Sequence, residues 1–166
     1  MKLQDLIIDF DSVPDDQLEE KGRKAYREHC LNRGRFGVHQ CHDRQEVMFH
    51  EDRFRHAVYE STAPGQETRH DTPDRIRLKR MRWIGEVVRG NVPGSECWEV
   101  LSRLGKGTAW KRLYIVWHER YVVWLEPKGE NRWWFSSAYV RNAGLIREYC
   151  RDGTKIWWYK AKEKAP

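Results

Sequence analysis

Nothing in this 166-residue chain approaches the roughly 18 consecutive apolar residues that a membrane span needs, and its first residues lack the basic-then-apolar order of a secretory signal. A cytoplasmic chain without a membrane partner is therefore the expectation. Cysteine is sparse: Cys30, Cys41, Cys97 and Cys150 lie too far apart for a disulfide scaffold, which predicts reduced and mostly buried thiols. No Gly-x-Ser-x-Gly elbow is present, which argues against serine-hydrolase chemistry. The segment Gly105-Lys106-Gly107-Thr108 is too short for a phosphate-binding loop. His29, Cys30, His39, Cys41 and His42 are suitable zinc ligands close together in sequence. Their spacing gives no Cys-x-x-Cys pair, however, and no second ligand pair follows, so neither a metal nor a cofactor is expected. Internal repeats and low-complexity tracts are lacking too.

What the chain has is aromatic side chains and charge. Nine tryptophans, 13% aromatics and 34% charged residues point to an aromatic core under a charged shell, and exclude a chain disordered throughout. The length suits one domain, able to bury about 68–70% of its unfolded surface. Charge is divided unevenly. Residues 1–20 carry seven acids and one base, a net of −6, and the remainder carries a net of +12. A basic body with an acidic arm fits binding to a phosphate polymer. The arm either caps and solvates a surface helix or lies over the basic groove.

Residues 3–10 form a short amphipathic piece, and Pro14-Asp15-Asp16 opens a helix that runs to about Asn32 and stops at Gly34. Residues 34–43 read as a turn-rich connection, residues 45–50 as a short strand and residues 51–60 as a helix. Thr72-Pro73-Asp74 starts another helix, with a capping hydroxyl and a first-turn proline, which extends to Val88. Its apolar face is Ile76, Trp83, Ile84, Val87 and Val88, opposite Arg75, Lys79, Arg82 and Arg89. The period then changes. Glu96–Ser102, Lys111–His118, Tyr121–Glu126, Arg132–Tyr139 and Lys155–Tyr159 read as strands joined by short loops. The expected fold class is α+β, with N-terminal helices packed on a four- to five-stranded antiparallel meander. Residues 1–43 read as an acidic helical extension and 44–166 as the main domain.

Chemistry concentrates where histidine meets clustered cations. His56 sits among Arg53, Arg55 and aromatic residues, shortly before the basic run Asp74–Trp83. Histidine moves protons near neutral pH, and Arg and Lys neutralise phosphate. Cleaving RNA without a metal requires proton transfer to and from oxygen, together with cations on the phosphorane. His56 is the candidate acid or base, and Arg75, Lys79, Arg82, Lys111 and Arg112 supply charge. Ser136 or Ser137, at the end of an apolar strand, would hold the scissile phosphate; alternation requires one to face away from the other. Which one faces the site is open at this level. Arg53 and Tyr139 complete the RNA-contacting set.

The order Phe49-His50-Glu51-Asp52-Arg53-Phe54-Arg55-His56-Ala57, Asp74-Arg75-Ile76, Arg82-Trp83-Ile84, Lys111–Trp117 and Phe135-Ser136-Ser137-Ala138-Tyr139 resembles phage-associated nuclease domains of the Barnase–EndoU–colicin–RelE class. The likeness covers residues 44–160. It implies small helices on an antiparallel sheet and a metal-independent endoribonuclease that leaves 2′,3′-cyclic phosphate. A toxin or phage–host conflict effector is implied too, with RNA as substrate and an inhibitory antitoxin or immunity protein as partner. By position it assigns His56 as the helix histidine, Arg75 as the helix cation, Ser136 or Ser137 as the late-strand hydroxyl, and Lys111 as a further cation. The alternative is a non-catalytic nucleic-acid-binding accessory protein that uses the same basic surface.

Overall fold

The computed structural model describes residues 2–59 and 73–161 of the chain. Among these residues seven strands form one sheet: β1 (Phe36–Gln40), β2 (Glu46–His50), β3 (Ser95–Leu104), β4 (Gly107–Val116), β5 (Tyr121–Gly129), β6 (Arg132–Val140) and β7 (Thr154–Trp158). Their spatial order is β1-β2-β6-β5-β4-β3-β7. The fold is α+β, and the expected antiparallel meander is its centre, β3 to β6. The expectation of four or five purely antiparallel strands needs correcting. Residues 34–43 are not all turn, because β1 pairs with β2 as a hairpin, and β2 runs parallel to β6. Here tertiary packing overrides weak local pattern: Phe49 of β2 stacks on Phe135 of β6 at 4.8 Å, which fixes the hairpin against the meander.

Both faces of the sheet are covered, which explains why strands that alternate in sequence are buried on both sides. Helices α1 (Leu18–Cys30), α2 (Phe54–Val58), α3 (Arg75–Lys79) and α4 (Met81–Val88) share one core with Tyr114, Val116, Val123 and Phe135. On the other face α5 (Ala143–Cys150) buries Ile146 and Cys150 against Leu113, Ile115, Val122 and Trp124. The sequence reading misses α5, although its start is signalled by Asn142, whose side chain accepts from Leu145 N at 2.9 Å. All four cysteines are buried free thiols.

The expected helix from residue 73 to Val88 is two helices, broken at Arg80. The cap is Asp74, which accepts from Ile76 N at 2.8 Å; the proposed capping Thr72 lies outside the described residues. The break rotates the first segment, so Leu78 and Met81 are buried while Ile76, expected on the apolar face, is 53% exposed.

The acidic arm is part of the fold. Leu3, Phe10 and Val13 enter the main core, and Ile8 N donates to Lys79 O at 3.0 Å. Lys79 Nζ meets Asp11 at 2.7 Å, while the Arg75 guanidinium donates to Phe10 O, to Val13 O and to Asp15. The expected division at residue 43 falls inside the β1–β2 hairpin, and residues on both sides of it share one core.

Where the hairpin returns over α1 there is no space for a side chain: a Cβ on Gly37 would stand 1.7 Å from Cys30 O. Gly37→Ala must displace backbone, so a loss of more than about 2 kcal/mol is expected in urea unfolding. A change within about 0.5 kcal/mol would show that the hairpin shifts freely.

Candidate functional site

A bulge builds a chemically dense part of the surface. Trp124 of β5 pairs with Ser137 of β6, but the next residue, Leu125, pairs with Phe135, leaving Ser136 as the extra residue. A bulge interrupts the alternation of side chains and re-aims them. Ser136 and Ser137 consequently both line one cleft, where strict alternation had required one to turn away. The cleft has a volume of about 420 Å³ and opens on the α5 side of the sheet. Lys111, Trp124, Tyr139 and Tyr149 also line it, and Glu148 and Asp152 add negative charge from α5 and the turn after it.

Two of the lining residues, Ser136 and Lys111, meet Glu126, an acid that stands outside the lining itself and that the sequence did not single out. Its side chain is 14% exposed. Ser136 Oγ donates to its Oε1 at 3.0 Å, Lys111 Nζ stands 3.8 Å from the same oxygen, and Arg53 Nη2 lies 3.5 Å from Oε2. One carboxylate thus gathers a hydroxyl and two cations from β6, β4 and the turn Glu51–Arg53 before α2. The signal was present in β5, where Val122, Trp124 and Glu126 recur at period two: an acid at a position that alternation aligns with buried apolar residues.

Of the residues nominated from sequence, Arg53, Lys111, Ser136, Ser137 and Tyr139 come together here. Tyr139 lines the cleft, but Trp124 Nε1 donates to its hydroxyl at 2.9 Å, and the guanidinium groups of Arg77 and Arg141 each lie 4.9 Å from its ring centre. Burial, reinforced by Tyr149, holds its phenol well above the ordinary range, so it stays protonated. The ring and hydroxyl that were expected to contact RNA are thus already engaged by these neighbours.

The others are elsewhere. His56 is exposed on α2, one helical turn beyond Arg53, and is not among the residues lining the cleft. Arg75 and Lys79 hold the acidic arm. Arg82 is exposed on α4. Arg112 neighbours Lys111 on β4 and therefore points to the opposite face. It is 4% exposed, donates to Asp43 at 3.1 and 2.6 Å, and lies 4.6 Å over Trp133. Arg75, Lys79 and Arg112 are thus each engaged by an acid of the fold and lie away from the cleft lining.

Among the described residues no three His, Cys, Asp or Glu side chains gather as a metal-ligand set. His39 Nε2 is 3.0 Å from Cys30 O, and its Nδ1 is 3.4 Å from Arg89 Nη1. His42 Nδ1 shares a 2.7 Å hydrogen bond with the Tyr114 hydroxyl, and its ring stacks on Trp157. Burial pushes both imidazoles below their ordinary value of 6.5; at His39 it outweighs the raising hydrogen bond to Cys30 O and Arg89 adds to it, and at His42 it outweighs the opposing pull of Asp43. The unfolded chain therefore binds more protons once the pH falls below about 6.5, so these groups contribute full stability above that value and lose it progressively as the pH descends through the lowered folded values. The urea midpoint should fall between pH 7.5 and pH 5, and less so in His39→Gln/His42→Gln; a flat profile in the wild type would contradict buried neutral imidazoles. Set beside known proteins, the chain matches no family model, no curated protein and no solved structure.

Proposed function

We propose that this protein is an endoribonuclease whose centre is the cluster of Glu126 with the cleft-lining Lys111 and Ser136. The observation that supports this most directly is one carboxylate flanked by two cations and a hydroxyl, beside an open cleft. In the reaction proposed, Glu126 takes the proton of the ribose 2′-hydroxyl. The 2′-oxygen bonds to phosphorus, the bond from phosphorus to the 5′-oxygen breaks, and that oxygen leaves with a proton from the Lys111 ammonium. A 2′,3′-cyclic phosphate and a 5′-hydroxyl result, and Glu126 returns its proton to Lys111 through solvent. Arg53 and Lys111 neutralise the charge that builds on the phosphorane, while the Ser136 and Ser137 hydroxyls donate to its oxygens. The acids Glu148 and Asp152 repel phosphate, which confines it to the Lys111 side. No metal enters this sequence. Toxicity to a host cell and neutralisation by an inhibitory partner would follow from uncontrolled cleavage.

A second reading is a nucleic-acid-binding module without chemistry. It is favoured by the completeness of the Glu126 network, since a carboxylate already satisfied by three partners is also what a stable buried charge requires. Incubation of the purified protein with total RNA in excess EDTA separates the two. Fragments ending in 2′,3′-cyclic phosphate support the enzyme; RNA that shifts on a gel but stays intact sinks it and leaves the binding module.

A further inference from the structure

β3 and β4 pair over ten positions, yet their neighbours accompany them for only half that length. β7 joins β3 from Glu96 to Glu99, and β5 joins β4 from Arg112 to Val116. Five cross-strand pairs, Val100–Lys111 through Leu104–Gly107, therefore stand beyond the sheet with no strand on either side among the described residues. At about 3.3 Å per residue they make a free ribbon roughly 16 Å long. Its tip is the two-residue loop Gly105-Lys106, with Gly105 at φ +58° as a tight hairpin requires.

The side chains on this ribbon are not those of a solvated hairpin. Leu101 and Trp110 face each other across the strands, 51% and 53% exposed. Arg103 follows two residues along β3 on the same face, and Lys106 occupies the tip. From Val100 to His118 the sequence holds no acid. An unsupported two-stranded hairpin is marginal in water, and one that presents a half-exposed Trp–Leu pair with unopposed cations has the makeup of a contact surface. The root of the ribbon, Val100, Leu101, Ser102 and Lys111, forms one wall of the cleft, while Trp110, next to Lys111 on β4, stands on the opposite face of the ribbon, so a strand leaving the cleft reaches it by crossing the ribbon's edge.

We infer that the β3–β4 ribbon is a docking arm for single-stranded RNA, on which an unpaired base stacks against Trp110 while Arg103 and Lys106 hold the adjoining phosphates. The identity of the ligand rests on the RNA reading of the cleft. A single strand is specified because an indole face is matched only by a base freed from its own partner, and duplex RNA offers a major groove too deep and narrow for side chains to read. A protein partner fits less well: a ribbon with several cations and no acid matches a polyanion.

The test uses the full chain with a twelve-nucleotide oligouridine and with the dinucleotide UpU, each against wild type, Trp110→Ala and Arg103→Ser/Lys106→Ser. Trp110→Ala should weaken oligouridine binding roughly tenfold, within the range of one lost base stack. The double variant should lower the slope of log affinity against log salt by about 1.4, two phosphate contacts on a single strand. Cleavage of UpU, too short to reach from the cleft to Trp110, should be unchanged in both. Oligouridine affinity and salt slope that ignore all three substitutions would overturn the ribbon, whatever the cleft does. Trp110-dependent binding without cleavage of either substrate would retain the ribbon and remove the catalytic reading. A Trp110→Ala change that alters sedimentation of the protein but not RNA affinity would identify a protein-docking surface and overturn the inference.

Discussion

Glu126→Gln should lower the rate of RNA cleavage by roughly 10²- to 10⁴-fold, the usual worth of a positioned acid or base, while the protein stays folded. The amide keeps the volume and can still accept from Ser136 Oγ, but it cannot take a proton from a 2′-hydroxyl. Its neighbours Lys111 and Arg53 lose a counter-charge, so RNA affinity should hold or rise as turnover falls. That opposition of binding and turnover is what a merely structural carboxylate would not produce. His56→Ala is the matched control: the histidine is exposed and does not line the cleft, so cleavage should stay within about threefold of wild type, far from the loss of an acid or base. If His56→Ala abolishes cleavage and Glu126→Gln does not, the helix histidine is the proton-transfer group and the cluster at the cleft is structural.

The strands that carry the candidate site were legible in the sequence because their information is local. β4, β5 and β6 are dense in Trp, Tyr, Val and Ile at period two, and their short connecting loops dictate antiparallel neighbours. β1 was not legible, since Phe36-Gly37-Val38-His39-Gln40 has little apolar alternation and becomes a strand by pairing with β2. α5 is short and carries Arg147 and Glu148 between its buried residues, so only its Asn142 cap marked it. For the site, residue type was readable and destination was not. Lys111, Ser136 and Arg53 were nominated on chemistry, yet what joins them is Glu126, marked only as an acid in phase with buried Val122 and Trp124, and a one-residue bulge that residue pattern does not reveal. Conversely, Arg75 and Arg112 had the right charge but meet Asp15 and Asp43, 60 and 69 residues away. A long-range ion pair leaves no spacing to read.

The Arg112 pair gives the largest expected effect on stability. Asp43→Ala should cost about 3–5 kcal/mol in guanidinium unfolding, the usual loss when one partner of a buried ion pair is removed. Arg112 cannot respond by deprotonating, and at 4% exposure it has little water to turn to. Asp43 keeps 29% of its side chain exposed, so the lower part of that range is expected. The pair also predicts a pH dependence. Burial pushes the Asp43 carboxyl up, but the Arg112 hydrogen bonds and charge outweigh it and hold the carboxyl below the ordinary 3.8. Its contribution is therefore complete above about pH 4 and fades as the pH falls through the lowered folded value. Adding Arg112→Met to Asp43→Ala should recover most of the loss, because an apolar pair of similar volume needs no counter-charge under Trp133. A single variant that loses less than about 1 kcal/mol would mean that Arg112 finds water or another acceptor, contrary to its burial. The double variant also bears on function. Lys111 and Arg112 are adjacent on β4 but face opposite sides of the sheet, so repairing the fold on one face should leave the cleft on the other intact. RNA binding at wild-type affinity in the double variant would then establish that only Lys111 of this basic pair belongs to the nucleic-acid surface.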